Sequence, residues 1–365
     1  MQKILHGFLS ITEVLKAIAG KKFMLVCDSS FQHLTIKDFF DNLTDPHVVF
    51  NQFSSNPLYE DVCKGVALFN AEKCDTLIAV GGGSTIDVAK CIKLYCRMDH
   101  SRNYLEQECC NSGVPLVAIP TTAGTGSEST KYAVIYYDNK KQSITHESIV
   151  PDYAILEPNL LKSLSVYQKK CTMLDALCQG IESLWSVNST DESMIFSKIA
   201  IDMIMNHWHG YIEENNDNDA KYIMIAANYA GRAINITQTT APHAMSYKLT
   251  SMYGVPHGHA VALCLPEVWL YMMDHPEQCI DTRGQNHMEF IFEWIGQIMQ
   301  CDSAHKGLMM FRSLMFSLDI PQPQSKNRED ELNVLTESVN PVRLKNNPVK
   351  LDDKAIRYIY DKILL

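Results

Sequence analysis

The feature that most constrains the fold of this chain is a change of pattern near residue 160. Before it, short apolar runs alternate with helix-like segments, and after about residue 165 long helical patterns dominate. Alternating strands and helices predict a parallel sheet with helices on both faces. We therefore predict an α/β domain over residues 1–162 and an all-α domain over residues 163–365.

Four apolar runs in the first part are predicted to be strands, and a fifth to be part of a hairpin. In chain order they are KKFMLVCDSS, HVVFNQF, CDTLIAVGGGS, VPLVAIPTTAG and YAVIYYD. Parallel sheets bind ligands beyond the carboxyl ends of their strands. The segments that directly follow these runs are therefore the first places to look for a site.

Composition excludes several classes of function. The chain has 365 residues and a formal net charge of −10, and no lysine-arginine run stands out, which argues against nucleic acid or an anionic membrane as a partner. No apolar stretch reaches the ~20 residues of a membrane span, and no export signal is recognised, so we expect a cytoplasmic protein. The twelve cysteines are scattered through apolar segments and are expected to be buried free thiols.

The first candidate loop is GGGSTIDVAK, which follows the strand TLIAV. Gly82 and Gly83 would let the backbone approach a phosphate, and a helix starting there would direct free N–H groups at it. Ser84 and Asp87 are candidate cofactor contacts, although a Ser-x-x-Asp capping box would explain them equally well. The spacing matches neither GxGxxG nor GxxxxGK[ST], so the standard dinucleotide and P-loop interpretations fail.

The second candidate loop is PTTAGTGSE, again directly after a strand. Its hydroxyl groups are candidate cofactor donors: Thr121, Thr122, Thr125 and Ser127. A polar connecting turn is the alternative. Two such loops at successive strand ends favour a dinucleotide, NAD(H) or NADP(H).

Asp28 ends the first of these strands. A carboxylate there could accept hydrogen bonds from the adenosine ribose and would repel a 2′-phosphate, which mildly favours NAD. The alternative is a turn aspartate before two serines.

A divalent metal site is predicted from two later stretches, LDALCQGIE and APHAMSYKLTSMYGVPHGHA. Asp175 and Gln179 are four apart in a helix-favouring run and so share one face. His243 and His257 are flanked by prolines and glycine, and together the four side chains could hold one ion. His259 could be a catalytic or supporting residue.

These motifs, in the order GGGSTIDVAK, PTTAGTGSE, DALxxxIE, HAMxxxL and PHGxAVA, resemble the iron-containing (group III) alcohol dehydrogenase family. The resemblance covers roughly residues 20 to 360 and implies a dehydroquinate synthase-like architecture, with pyrophosphate on the GGGS turn. It also implies Fe²⁺ or Zn²⁺ held by one aspartate and three histidines, of which Asp175, His243 and His257 are matched. The third histidine falls on Gln179, whose amide oxygen would give a harder and weaker site.

A second departure is Tyr247, which occupies a position where the family often has a further histidine. Its hydroxyl could hydrogen-bond a substrate oxygen or donate a proton, so we treat it as a candidate catalytic residue. Packing beside the cofactor is the alternative role.

The residues around these motifs resemble those of the phosphonoacetaldehyde reductase subgroup, also called hydroxyethylphosphonate dehydrogenases. Arg232 and Lys248 are hypothetical anchors for the anionic end of such a substrate, because a phosphonate needs cationic donors to replace its hydration. The alternative is that both are solvated surface charges. The resemblance implies reduction of phosphonoacetaldehyde to 2-hydroxyethylphosphonate, and a homodimer is possible.

Three other functions stay open on the sequence. One is a generic short-chain alcohol dehydrogenase of the same family, and another is a lyase resembling dehydroquinate synthase. The third is a non-catalytic nucleotide-binding protein in which Gln179 marks loss of the metal.

Overall fold

The computed structural model describes residues 2–17, 21–138 and 140–365. The chain divides into two compact units. The first extends to Ser165 and also includes Asn215–Gly231, and the second contains Val166–Glu214 and Arg232–Leu365. The predicted helical domain differs from the second unit mainly in the segment Asn215–Gly231, which packs with the first.

The first unit contains the strands of the described residues. They are β1 (Lys3–His6), β2 (Phe23–Cys27), β3 (His47–Phe50), β4 (Thr76–Gly81), β5 (Leu116–Pro120), β6 (Tyr132–Tyr137), β7 (Lys140–Thr145) and β8 (Tyr153–Leu156). The helices α1 (Leu9–Ala17), α2 (Lys37–Asp41), α3 (Tyr59–Ala71) and α4 (Gly83–Tyr95) accompany them, together with the segment Asn215–Gly231.

Six strands form one sheet in the order β1-β8-β5-β4-β2-β3, and all of its pairs are parallel. Strands β6 and β7 form a separate antiparallel hairpin. The predicted parallel sheet and hairpin are therefore confirmed. Strands β1 and β8 were not predicted, because each has only four residues and lies at or next to an edge of the sheet.

Alternate residues of the central strands face two separate apolar layers. Met24 and Val26 of β2 pack in one layer with residues of α3 and α4. Phe23 and Leu25 pack in the other with residues of α1. A strand buried on both faces has to be apolar at every position, which is why these runs are continuous rather than alternating.

The order of the strands brings three loops to one edge of the sheet. Strand β4 lies between β2 and β5, with Cys27 paired to Val80 and Gly81 paired to Pro120. The residues that follow these three strands therefore begin side by side.

The second unit is helical. It is built from α5 (Val166–Trp185), α6 (Asp191–Ile212), the end of α7 (Asp217–Thr237), α8 (Ala241–Tyr253), α9 (His257–Asp274), α10 (Gln285–Ile298), α11 (Ala304–Ser317), α12 (Arg328–Glu337) and α13 (Asp353–Ile363). Its core includes Trp185, whose ring centre lies 6.0 Å from that of Trp269 and 6.1 Å from that of Phe292. Long helices over the predicted segments are confirmed.

Within the part of the chain that the structure describes, no helix is both long and apolar enough to span a bilayer. All twelve cysteines are free, and seven of them are buried. The expected free thiols are therefore confirmed.

Candidate metal centre and cofactor loops

The first glycine-rich loop joins β4 to α4 without a side-chain cap. Gly82 is the N-cap residue, and no side-chain cap bonds the start of the helix among the described residues. The alternative of a capping box is therefore wrong, because Ser84 lies inside the helix and its hydroxyl donates to the Ser55 carbonyl. Uncapped amides at a helix start are suited to bind a phosphate.

The second loop lies directly against the first. The Thr121 amide donates to the Gly81 carbonyl at 3.1 Å. A Cβ atom on Gly83 would lie 2.8 Å from Cγ2 of Thr125, and one on Gly82 would lie 3.4 Å from Cγ2 of Thr122. Gly83 is therefore required for this close approach, and the structure brings the predicted threonines and glycines together.

Asp28 lies at the same edge and is already hydrogen-bonded. One carboxylate oxygen accepts from the Ser30 amide at 2.8 Å, which caps a short 3₁₀ helix. The other accepts from the Thr85 hydroxyl in the first turn of α4 at 3.0 Å. Both roles considered for Asp28 are therefore compatible with its position, because a carboxylate has about four acceptor sites.

Two of the predicted cofactor contacts, Asp87 and Ser127, form hydrogen bonds inside the first unit. The Asp87 carboxylate accepts from the Ser127 hydroxyl at 2.6 Å and from the Val134 amide at 2.9 Å. The Ser127 hydroxyl in turn accepts from the Nζ of fully buried Lys90 at 3.0 Å. Burial raises the pKa of Asp87 and lowers that of Lys90 to about 8. This network ties α4 to the β6–β7 hairpin, which explains Asp87 and Ser127 without a ligand.

The predicted metal ligands converge in the second unit. Asp175 and Gln179 lie on one face of α5, His243 lies in the first turn of α8, and His257 is the first residue of α9. One ligand atom each from Asp175, His243 and His257 lies within 4.8 Å of the other two. The Nε2 atom of His243 is 3.3 Å from Oδ1 of Asp175, and that of His257 is 3.9 Å from the same oxygen.

Gly258 permits this convergence. A Cβ atom there would lie 2.0 Å from the Cys171 carbonyl oxygen and 2.8 Å from Cβ of Asp175. Only glycine lets α9 approach α5 this closely. The Pro-His-Gly motif therefore places His257 beside Asp175 by removing a side chain from the next position.

Three buried atoms in the cluster indicate that it is built for an ion. Oδ1 of Asp175, Oε1 of Gln179 and Nε2 of His243 have no hydrogen-bond partner among the described residues. The three residues are only 3–4 % exposed, and leaving a buried polar atom unsatisfied costs about 1–3 kcal/mol. A cation would satisfy all three, and mixed oxygen and imidazole donors suit Fe²⁺ or Zn²⁺. The residues present therefore fit a divalent metal, with Gln179 as a candidate fourth ligand.

A buried glutamate, Glu182, orients one of the histidines. Its Oε1 accepts a hydrogen bond from Nδ1 of His243, and its Oε2 accepts from the amide and hydroxyl of Thr240 at 2.6 and 2.8 Å. With Nδ1 held in this way, Nε2 of His243 points toward Asp175. Carboxylates that orient a ligating histidine are a recurring part of metal sites. The sequence prediction missed Glu182, although it lies on the same face of α5, seven residues after Asp175.

The charges at the site favour a cation. Burial lowers the pKa of His243, but the Glu182 and Asp175 carboxylates outweigh it and raise that pKa to about 9. Burial likewise raises the pKa of Asp175, but His243 and His257 outweigh it and lower the pKa below its usual value. A metal ion at Nε2 would replace the proton that these carboxylates attract.

His257 links the cluster to Tyr247. The ring of Tyr247 stacks on that of His257, with centres 5.5 Å apart and planes 2° from parallel. The Tyr247 hydroxyl accepts from a guanidinium N–H of Arg343 at 3.0 Å. The structure therefore brings Tyr247 to the candidate metal centre, together with Arg343, which the sequence prediction did not include.

His259 is occupied elsewhere. Its Nε2 must donate to the Pro321 carbonyl at 2.8 Å, so in the neutral ring Nδ1 accepts from the Tyr167 hydroxyl at 2.7 Å. Burial lowers the pKa of His259, in agreement with a neutral ring. Both nitrogens are thus engaged, and these contacts explain His259 as a supporting residue.

The predicted substrate anchors are not brought together by any described contact. The guanidinium carbon of Arg232 lies 3.9 Å from the centre of the Phe196 ring. Lys248 is half-buried on α8, beside Tyr247 in sequence. The stacking on Phe196 gives Arg232 a structural role that the sequence did not reveal.

Comparisons with known proteins match both parts of the chain. A family profile described as iron-containing alcohol dehydrogenase matches residues 2–158, and one described as the C-terminal part of the Fe-containing alcohol dehydrogenase family matches residues 170–364. The chain belongs to the iron-containing alcohol dehydrogenase family. It is therefore an NAD(P)-dependent, metal-containing oxidoreductase, and the lyase and non-catalytic alternatives are set aside.

Relatives in this family include a phosphonoacetaldehyde reductase of Streptomyces viridochromogenes. It is 30% identical over 325 residues, which cover 86% of this chain and 81% of the relative. An iron-containing alcohol dehydrogenase of Thermococcus thioreducens has a similar structure, with a TM-score of 0.89, 20% identity and coverage of 99% and 98%. A sulfoacetaldehyde reductase of Bifidobacterium kashiwanohense, solved with NAD⁺, gives a TM-score of 0.87, 23% identity and coverage of 99% and 96%. These two likenesses support the fold.

Proposed function

We propose that this dehydrogenase reduces a short anionic aldehyde, with phosphonoacetaldehyde as substrate and 2-hydroxyethylphosphonate as product. The observation that carries the chemistry is the buried cluster of Asp175, His243 and His257 with its unsatisfied ligand atoms. The choice of substrate is supported by the relative from Streptomyces viridochromogenes and by the arginine beside the cluster.

When bound, the metal supplies Lewis-acid polarisation of a carbonyl oxygen, and the nicotinamide coenzyme supplies hydride. Asp175 contributes the negative charge that a divalent ion requires at a buried site. Glu182 holds Nδ1 of His243, so Nε2 is the ring nitrogen that would bind the metal. These residues hold their geometry before substrate arrives, which reduces the reorganisation needed during the reaction.

Tyr247 is the candidate proton donor to the alcohol oxygen. Its hydroxyl lies at the end of a ring stacked on His257 and accepts a hydrogen bond from Arg343. A hydroxyl can accept one hydrogen bond and donate another, so the contact with Arg343 is compatible with proton donation.

For the coenzyme we propose NADH in preference to NADPH, and for the metal Fe²⁺ or Zn²⁺. Asp28 supports NADH because its carboxylate lies at the edge where the cofactor loops meet, and it would repel a 2′-phosphate. Loss of activity in air would distinguish Fe²⁺ from Zn²⁺, since only iron changes oxidation state.

The test is consumption of NADH by metal-reconstituted protein with phosphonoacetaldehyde and with propanal, a neutral aldehyde of similar size. We expect kcat/KM to be at least about tenfold higher for the phosphonate, since charge-assisted hydrogen bonds contribute ~1.5–3 kcal/mol. Equal values would reject the substrate and leave the generic short-chain alcohol dehydrogenase as the function.

A further inference from the structure

Arg343 places a guanidinium against Tyr247, the ring that stacks on the candidate metal ligand His257. It begins a short 3₁₀ helix, Arg343–Asn346, and its side chain is half-buried. The guanidinium carbon lies 5.2 Å from the centre of the Tyr247 ring, and one N–H donates to the Tyr247 hydroxyl at 3.0 Å. The same ring stacks on His257, so a single aromatic side chain separates the cation from a predicted ligand.

The 3₁₀ helix that carries Arg343 is fixed in place by Asn346. The Asn346 side-chain amide donates to Oε1 of Gln238 at 3.0 Å and to the Thr239 carbonyl at 3.2 Å. Its backbone carbonyl accepts from the Val187 amide at 3.0 Å. These contacts attach the short helix to the segments around the start of α8, so Arg343 is held in a defined position.

Arg343 forms no ion pair with any carboxylate of the described residues. Arg283, Arg312, Arg328 and Arg357 each lie within 4.0 Å of a carboxylate, whereas the described contact of Arg343 is with the neutral Tyr247 hydroxyl. Arginine has five N–H donors in a planar fork, and here one contact with Tyr247 accounts for a single donor. A half-buried arginine with spare donors and no counter-ion is suited to bind an anion.

We propose that Arg343 binds the anionic end of the substrate and so determines its specificity. This inference rests on the proposed function and replaces the anchors expected at Arg232 and Lys248. The chemical class is a short aldehyde that ends in an oxyanion group, such as a phosphonate, sulfonate or carboxylate. The aldehyde end would face the metal ligands, and the anionic end would face the fork of Arg343.

The experiment compares wild type with Arg343→Gln and Arg343→Lys, using phosphonoacetaldehyde, sulfoacetaldehyde, malonate semialdehyde and propanal. The matched control is Arg357→Gln, because Arg357 is likewise a half-buried arginine but pairs with Glu329 in an ion pair between α13 and α12. In Arg343→Gln we expect kcat/KM for the preferred anionic aldehyde to fall roughly 10- to 150-fold, mostly through KM, and that for propanal to change less than about threefold. The lysine variant should recover part of the loss.

Competition by methylphosphonate gives a second measurement. Its inhibition constant against propanal reduction should rise at least about tenfold in Arg343→Gln and stay unchanged in Arg357→Gln. An equal loss for charged and neutral aldehydes would overturn the proposal, since it would mean that Arg343 only supports Tyr247. The proposal would also be overturned if Arg343→Gln kept the wild-type ratio of kcat/KM between the anionic aldehyde and propanal. The wild-type enzyme is measured first. If its kcat/KM is no higher for anionic aldehydes than for propanal, the proposed substrate is rejected, independently of any Arg343 variant.

Discussion

Glu182 accepts a hydrogen bond from Nδ1 of His243, and this contact leaves Nε2 of the same ring 3.3 Å from Oδ1 of Asp175. The glutamate is fully buried and its second oxygen is held by Thr240. A histidine that was only a core residue would not need a carboxylate on each side. The pair therefore explains why His243, among thirteen histidines, is suited to hold a cation.

Replacing Glu182 by glutamine should weaken the metal site. The amide cannot supply the negative charge that holds the His243 ring, so we expect the affinity for Zn²⁺ to fall about 10- to 100-fold. The measurement is metal competition against a chromophoric chelator. Exposed Glu337→Gln serves as the control, and equal affinity in wild type and Glu182→Gln would show that Glu182 has no part in metal binding.

Gln179 can be tested by two substitutions. If its amide oxygen is a ligand, Gln179→Leu should lower metal affinity at least about tenfold, and Gln179→His should raise it, because imidazole is a stronger ligand for these metals. Metal content after dialysis, together with the rate of aldehyde reduction, reports both effects. Unchanged affinity and rate in both variants would remove Gln179 from the ligand set.

Asp28 should control the choice of coenzyme. Replacing it by serine removes the charge that would repel a 2′-phosphate, and kcat/KM for NADPH relative to NADH should increase about tenfold or more. Steady-state rates with the two coenzymes at a fixed aldehyde concentration measure the ratio. A loss that is equal for both coenzymes would instead assign Asp28 to its hydrogen bonds with Ser30 and Thr85.

Burial of the Cys27 thiol should make the folded protein less stable at alkaline pH. Burial, and secondarily the charge of Asp28, raise the pKa of the Cys27 thiol from 9.0 to about 12. The thiol then contributes stability that is fully present below pH 9 and is lost as the pH rises toward 12, because only the unfolded chain ionises in that window. The ionisation of this one thiol changes the free energy of unfolding by at most ~1.4 kcal/mol per pH unit.

The measurement is the urea midpoint of wild type and Cys27→Ala at several values between pH 8 and pH 11. The variant should be less stable at pH 8, and its disadvantage should shrink as the pH rises. Exposed Cys110→Ala controls for the loss of a thiol. Parallel curves for wild type and Cys27→Ala would contradict the assignment.

The sequence allowed the sheet, the two glycine-rich loops and the four metal-site positions to be predicted, since each depends on local pattern. Asp175 and Gln179 share a face because of helical spacing alone. The approach of His257 to Asp175 depends on α9 packing against α5, and Gly258 was the visible signal for it. Asp87 and Ser127 were predicted as cofactor contacts. The sequence alone does not reveal that both belong to a buried hydrogen-bond network with Lys90.

Arg343 could not be predicted from spacing. It lies in a 3₁₀ helix far along the chain from Tyr247, and only the packing of α8 brings the two together. Arg232 was predicted as an anchor for its nearness to His243 in sequence, whereas its guanidinium stacks on Phe196. Distance along the chain does not reveal such contacts.

The most direct test of the account is a metal titration. Protein stripped by a chelator is supplied anaerobically with Fe²⁺ or Zn²⁺, and NADH-dependent reduction of phosphonoacetaldehyde is followed at each addition, with Asp175→Asn in parallel. We predict that activity rises in proportion to metal and reaches its plateau at one equivalent per chain, and that the asparagine variant retains less than about 1% of it. Full activity in the stripped protein, or an unaffected Asp175→Asn variant, would contradict the central claim.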